Sequence, residues 1–373
     1  MMGLIDIADG MGKEKDELSQ PFFSIVMPSY NASKYLQRSV SSILAQTFTD
    51  FELIIVNDGS TDRTLEEAEK LQRKDARIQI VNLKKNGGLS NARNVGTEHA
   101  SGLYIWYADA DDYVESYLLE TVYRSLKKNP VSMVMFGLVE EYLDREGKLI
   151  EINESLPEYH FYTDRRELRQ SIIKYEQNLL IGYAWNKIFD LHYLRNEKVS
   201  FKKVPLIEDV LFTFSFIRNI DTMTVLDIAP YHYEKKVEDN LTNAFVPEYF
   251  KLHRRRILTL YNLYKEWHEI TPEFLSQLGS LYARYILSAV ERTYDRRAGI
   301  LFLRRLSWIR RVYKDWLFQS IVRGAQPRDS LSLYLTIRVM ETESAVLLAT
   351  EGFIVHFVRY YLPKLYIVIK ESR

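Results

Sequence analysis

The feature that most constrains this chain is an alternation that begins at Phe22. Short apolar runs rich in strand formers, "FFSIVMP", "FELIIVN", "RIQIVN" and "LYIWYA", are separated by segments with the apolar spacing of helices, at residues 33–46, after "DGST" and through "LSNARNVGTEHA". A further helix over 115–127 leads into "VSMVMFGLV", another strand. Runs that are apolar throughout suit strands buried on both faces, and strands that alternate with helices build a mostly parallel sheet covered on both sides. The pattern therefore predicts an α/β fold. In such sheets ligands bind beyond the carboxyl ends of the strands, which sets residues 28–31, 57–60, 86–93 and 109–112 along one rim. Within "DGST", Ser60 or Thr61 is expected to cap the second helix.

A length of 373 residues favours two compact units. After about residue 150 the alternation decays, and from Pro247 long helical patterns take over. The expected division is a loose tail at 1–20, an α/β domain at 21–243 and a helical region at 244–373. Lys plus Arg and Asp plus Glu both total 50, and a formal charge of zero argues against a chain that coats nucleic acid. The balance hides an asymmetry: from Pro247 onward there are 21 basic residues against 12 acidic ones. The absence of cysteine excludes disulfides, thiolate metal sites and cysteine nucleophiles, and suits a reducing compartment. The first twenty residues lack the basic start and apolar block of a signal peptide. The apolar stretch 352–370 is interrupted by His356, Arg359, Pro363 and Lys364 and fails as a membrane span. The expected location is cytoplasmic, with the inner face of the membrane open to it.

At the end of "LYIWYADADDYV" three carboxylates fall within four positions. A single Asp there would be read as a cap for the following helix. Three held together repel unless a cation or water screens them, and an oxygen-only donor set fits Mg²⁺ or Mn²⁺ shared with substrate phosphates. In "VNDGSTD", Asp58 follows a buried strand and can accept from a nucleobase N–H, or can simply be a turn residue. "NGGLSNARN" sets glycines ahead of a helix, so that backbone N–H groups face an anion, with Arg93 one turn further in. Neither GxGxxG nor a GxxxxGK[ST] loop is present.

Taken together, "SIVMPSYNASKYLQRSVSSILAQTFTDFELIIVNDGSTDRT" and "NGGLSNARNVGTEHASGLYIWYADADDYV" resemble the nucleotide-sugar-binding half of the family-2 glycosyltransferases of GT-A fold, over residues 22–139 and more weakly to 243. The resemblance implies a Rossmann-like sheet and inverting transfer of a hexosyl or N-acetylhexosaminyl group from a nucleotide sugar, most often a UDP-sugar, to a glycan, polysaccharide or glycoprotein hydroxyl, with Mn²⁺ or Mg²⁺. It implies that Pro28, Ser29, Tyr30, Asn31, Asp58 and Gly59 hold the nucleoside, with Asn86, Gly88 and Arg93 by the base or diphosphate. Asp109, Ala110 and Asp111 match the DxD motif, Asp111 as direct metal ligand. Asp209, after Glu208 in "VPLIEDVLFTF", matches the catalytic base, although an acidic helix start accounts for both residues as well. Trp185 and Lys187 in "YAWNKIF" fall where the family builds its acceptor pocket, with core packing as the alternative for Trp185. His232 in "YHYEKKVEDNLT" is a candidate third metal ligand or a structural histidine. A catalytically silent partner that keeps the fold is the competing function.

The C-terminal region carries runs of arginine (Arg254–Arg256, Arg296 with Arg297, Arg304 with Arg305, Arg310 with Arg311) among Tyr, Trp and Leu. Ile354, Phe357, Val358, Tyr361, Leu362 and Leu365 form an apolar stripe at helical spacing. Packing against the catalytic domain, self-association into a homo-oligomer and attachment to an anionic membrane surface all suit this pattern.

Overall fold

The computed structural model describes residues 20–144, 146–236, 246–327 and 330–362. The expected tail up to residue 19, the boundary at 243–244 and Leu365 lie outside the described residues.

Ten strands, β1 (Phe23–Ser29), β2 (Phe51–Asn57), β3 (Ile78–Asn82), β4 (Tyr104–Tyr107), β5 (Tyr113–Val114), β6 (Met133–Leu143), β7 (Leu149–Ser155), β8 (His160–Tyr162), β9 (Lys187–Asp190) and β10 (Met223–Lys236), form one sheet. Its order is β3-β2-β1-β4-β9-β6-β10-β5, with β7 along β6 and β8 along β10. The half expected from the alternation, β3-β2-β1-β4, is parallel throughout. β9 then runs antiparallel to both β4 and β6, which makes the sheet mixed. Helices α1 (Leu36–Leu44), α2 (Thr64–Gln72), α3 (Leu89–His99), α4 (Leu118–Lys128), α5 (Arg165–Gln177), α6 (Leu191–Asn196) and α7 (Glu208–Phe216) accompany it. All seven residues of β1 are buried, as a continuous apolar run with helices over both faces requires.

Register sets the height of the rim. Ser29 lies opposite Asn57, so β1 and β2 end level. Tyr107 lies opposite Val26, so the chain after β4 still has the height of a few residues to climb, and the Ala108 N–H continues the ladder to the Val26 carbonyl at 3.0 Å. That lifts 109–112 to the same rim as 28–31 and 57–60. One local expectation fails: α2 begins at Thr64, whose N–H is accepted by Asp62 at 3.0 Å, while Ser60 and Thr61 turn back to Asn31. Asn31 has φ 51°, a left-handed conformation that Asn tolerates better than most residues. Its side chain and N–H therefore compete successfully for those two residues.

Helices α8 (Tyr249–Glu266), α9 (Pro272–Arg292), α10 (Phe302–Tyr313), α11 (Trp316–Ile321), α12 (Leu331–Glu341) and α13 (Ala345–Tyr361) follow. They share one continuous apolar core with the sheet domain. The contact is pinned by a buried ion pair in which Arg256 of α8 donates to both oxygens of Glu176 in α5. The Tyr264 hydroxyl accepts from the Ile173 N–H at 2.9 Å, and the Trp267 indole donates to the Arg218 carbonyl at 2.8 Å. Gly279 lets α9 pass over the end of α11, since a Cβ there would lie 1.7 Å from the Ile321 oxygen.

Candidate active site

Four chain segments converge on Arg93. Helix α3 starts at Gly88, whose φ of 91° turns the chain sharply off the β3 loop, and one turn later it presents Arg93 inward with 1% of its surface exposed. One terminal nitrogen of its guanidinium donates to Asp109 Oδ1 at 2.8 Å and the other to Asp209 Oδ1. The second oxygen of Asp209 accepts from the Ala184 N–H at 3.0 Å. The ring of Phe201 lies 5.2 Å below the guanidinium. One buried cation thus ties the first Asp of the strand-end cluster to the acid at the start of α7, 116 residues further along than Arg93.

The acids around this cation differ in character. Burial pushes Asp109 up to about 6, opposed by Arg93 and reinforced by the charges of Asp111 and Asp209. Burial also pushes Glu208 up to about 7, with the charge of Asp209 adding to it. Glu208 Oε2 is buried without a hydrogen-bond partner. Asp112 is almost fully buried and is raised well above the carboxylate range, first by burial and then by its neighbours Asp111 and Asp109. It accepts from the Tyr231 hydroxyl at 2.7 Å, and that same oxygen accepts from the Asp109 N–H at 3.2 Å. Asp111 is exposed, and its carbonyl takes a hydrogen bond from Arg38 at 2.6 Å. The Ser39 hydroxyl holds the Asp109 carbonyl at 3.1 Å. Arg38, Ser39, Asp112, Tyr231 and Phe201 were not singled out from the sequence. Only the third carboxylate of "ADADD" and the tyrosine of "YHY" left a trace there, because the others reach the site from elements distant in the chain.

Among the described residues no group of three or more His, Asp or Glu could hold a metal ion by itself. The donors offered at the rim are the carboxylates of Asp109 and Asp111, close enough for the charge of one to raise the pKa of the other. Two oxygen donors of this kind fit Mg²⁺ or Mn²⁺ when the remaining ligands are phosphate oxygens and water.

The nucleoside segment has a different wiring from the one expected. Asp58, 2% exposed, accepts from the N–H groups of Gly87 and Gly88, both at 2.8 Å. The glycine amides expected to face an anion are therefore taken by Asp58, and the carboxylate expected to read a base instead holds the turn that starts α3. Gly59, at φ 65°, lets this turn close against Lys85 and Asn86. Pro28 and Ser29 are buried in the strand end, Tyr30 is half exposed, Asn31 and Asn86 are exposed, and Ala110 is buried between its two acids.

Burial argues against an acceptor role for Trp185 and Lys187, and two hydrogen-bonded ring nitrogens favour the structural alternative for His232. Trp185 is 2% exposed, stacked on Tyr231 at 4.1 Å and on Tyr183 at 4.5 Å, so it is a core residue rather than an acceptor platform. Lys187 is fully buried and donates to the carbonyls of Leu180 and Tyr183 and to Asn186 Oδ1. Burial pulls its pKa down to about 7, and it fastens the turn before β9 instead of meeting an acceptor. His232 stacks on Tyr113 and lies between two glutamates, Nδ1 at 2.9 Å from Glu141 and Nε2 at 3.0 Å from Glu115. Both ring nitrogens are engaged there, so it is not a free metal ligand.

Beside the acid cluster lies an open cleft of about 520 Å³ lined by Lys84, Lys85, Asn91, Asn94 and Lys203, with Phe201 as the wall shared with Arg93. The three lysines have no acidic partner among the described residues.

Residues 24–187 match the family model described as glycosyl transferase family 2. The chain is 31% identical over 219 residues to the uncharacterized glycosyltransferase EpsJ of Bacillus subtilis, an alignment that covers 58% of this chain and 61% of that protein. It is 34% identical over 166 residues to a chondroitin synthase of Pasteurella multocida, covering 44% of this chain and 17% of the synthase. The chain thus spans less than two thirds of the length of these relatives. Among solved structures it is similar in fold to S. aureus TarS 1–349 in complex with UDP-GlcNAc, at a TM-score of 0.59 and 19% identity over 89% of this chain and 90% of that one.

Proposed function

We propose, from the match of residues 24–187 to the glycosyl transferase family 2 model and the likeness in fold to TarS, that the protein is a glycosyltransferase that moves a hexosyl or N-acetylhexosaminyl group from a UDP-sugar to a hydroxyl of a glycan, polysaccharide or glycoprotein acceptor. The observation that carries this reading is the bridge from Asp109 through Arg93 to Asp209. It supports a donor diphosphate and a proton acceptor held in one cleft at fixed spacing. UDP as the nucleotude carrier is supported by the UDP-GlcNAc named in the TarS complex.

Transfer is a single displacement with inversion. The acceptor oxygen forms a bond to the anomeric carbon, its proton passes to an oxygen of Asp209, and the bond from that carbon to the diphosphate breaks with its electron pair leaving on the nucleotide. Arg93 and the Ala184 N–H hold both oxygens of Asp209 in place, so that the base is oriented before the step. Glu208 sets the field at Asp209, because its own charge appears only near neutral pH. Asp58 acts on the nucleoside through the 86–88 turn that it holds, together with Tyr30 and Asn31 beyond the end of β1. Asp111 with Asp109 would hold Mg²⁺ or Mn²⁺, which would supply charge neutralisation for the departing diphosphate. The acceptor enters by the lysine-lined cleft, which suits a chain bearing carboxylates or phosphates. A transfer assay that prefers neutral oligosaccharides over anionic ones of equal length would remove this last assignment.

The test is a thermal-shift panel of nucleotides and nucleotide sugars, with and without Mn²⁺, on the wild type and Asp111→Ala. A UDP-selective shift that needs the metal and is lost in the variant is expected. Metal-dependent binding without hydrolysis or transfer over a broad donor panel would replace the enzyme with a non-catalytic partner. Loss of nucleotide binding altogether would remove both.

A further inference from the structure

Catalysis as proposed uses one rim of the sheet and leaves the far helical region unexplained. That region has a face where apolar and basic exposure coincide. Ile300, Leu301, Phe302 and Leu303 are four consecutive large apolar residues, exposed by 37%, 69%, 54% and 77%. Helix α10 begins within them and directs Arg304, Arg310, Arg311 and Lys314 to solvent. Between Arg296 and Lys314 the sequence has seven basic residues and no acid. Only Arg305 of these is buried, where it donates to Thr293 and to the Ile300 carbonyl and so pins the apolar turn in place. Arg296, Arg304, Arg310 and Lys314 have no ion-pair partner among the described residues.

Helix α13 continues this face. Its small residues Ala345, Ala349 and Gly352 are buried, and a Cβ at Gly352 would lie 2.5 Å from Val290, so that side is closed against α9. The other side carries Phe353, Ile354, Phe357, Tyr360 and Tyr361, each between 45% and 72% exposed. Tyr294 joins the two parts: Arg305 lies 3.6 Å over its ring, Phe353 is 5.5 Å from it, and its hydroxyl donates to the Ala349 carbonyl at 2.6 Å.

We propose that the face made by the 300–303 turn, the outer side of α10 and the C-terminal half of α13 seats this protein on an anionic lipid surface. Charge decides the occupant. A second copy meeting this face across a two-fold axis would set arginine against arginine with no acid between them, a like-charge contact that an isologous interface cannot relieve. A bilayer of anionic lipids offers both complements at once: phosphate for the cations, and acyl chains for leucine and phenylalanine, with tyrosine at the headgroup level. Among the described residues no helix is long and apolar enough to cross a membrane, and the proposed contact is one of this surface with the headgroups and upper acyl chains. It lets the enzyme meet an acceptor that is itself carried at such a surface.

Flotation of the full chain with vesicles tests this. Phosphatidylcholine with about 30% phosphatidylglycerol should carry the protein to the top of the gradient, pure phosphatidylcholine should not, and raised salt should weaken the binding. Arg304→Glu combined with Arg310→Glu should lower partitioning at least about tenfold. Leu301→Ser combined with Leu303→Ser should lower the fraction that survives high salt. Both pairs lie on the surface away from the acid cluster, so unchanged thermal unfolding and donor hydrolysis report that the fold is intact. Equal flotation with neutral and anionic vesicles, or charge variants that float like the wild type, would overturn the proposal. So would absence of flotation together with a dimer in light scattering that the leucine variants dissolve.

Discussion

Glu208 is a carboxylate that the fold would be more stable without. One of its oxygens is buried and has no partner, and its pKa is pushed up from 4.5 to about 7 by burial first and by Asp209 second. A carboxyl group whose folded pKa lies above its unfolded value binds a proton in the folded state that the unfolded chain has already lost. Its contribution to stability is complete below about pH 4.5 and is lost as pH rises through about 7. The shift of about 2.5 units corresponds to about 3 kcal/mol at most, at 1.36 kcal/mol per unit, and partial solvent contact brings the expected effect to about 1–3 kcal/mol. Glu208→Gln keeps the shape and removes the charge, so relative to wild type it should change little at pH 5 and gain this amount at pH 8.5. In a chain of this size that is a rise of about 1–4 °C in Tm. The assay is thermal unfolding of both proteins from pH 5 to pH 8.5 in EDTA. A gain of the same size at every pH, or a loss at pH 8.5, would refute the reasoning, since either means that the carboxylate is satisfied where it sits. A stabilising substitution at a site of this kind is expected to cost transfer activity, because strain of this sort is retained where function needs it.

Asp209→Asn should fold and bind donor while transfer falls by about a hundredfold or more, measured as product formed at saturating donor; retained transfer would dismiss Asp209 as the base. Arg256→Met should destabilise the protein by about 3–5 kcal/mol in denaturant unfolding, because Glu176 is left fully buried without its cation. Combining it with Glu176→Gln should recover much of the loss, and a double variant no more stable than the single one would count against that cause. Gly279→Ala should cost several kcal/mol in the same assay, since its Cβ would fall within the radius of the Ile321 oxygen and α9 would have to lift off α11. A change below about 0.5 kcal/mol would mean that the two helices separate freely.

The parallel strands β1 to β4 were legible in the sequence because buried strands must be apolar along their whole length and the helices between them keep their own period. The acids at the strand ends were legible for the same reason, since a charge that interrupts such a run stands out. Arg38 and Ser39, in contrast, look like ordinary surface residues of an amphipathic helix, and only the crossing of α1 over the rim brings them to Asp111 and Asp109. The depth of Trp185, left open between core and acceptor pocket, and of Lys187 was not legible, because an aromatic and a cation carry no mark of it. Each is buried by partners from elsewhere: β10 stacks Tyr231 on Trp185, and the turn at 180–183 directs its carbonyls at Lys187.

What the sequence by itself determined is local: which runs must be strands, where the chain must turn, and which strand ends carry charge. The tertiary structure alone decided the partnerships. That Asp58 would be spent on the amides of Gly87 and Gly88, and that Arg93 would join acids on two different elements, depends on which long-range neighbours compete for the same hydrogen bonds. A buried donor or acceptor must find a partner within about 3 Å, and no local pattern of residue types records which of the distant candidates arrives there.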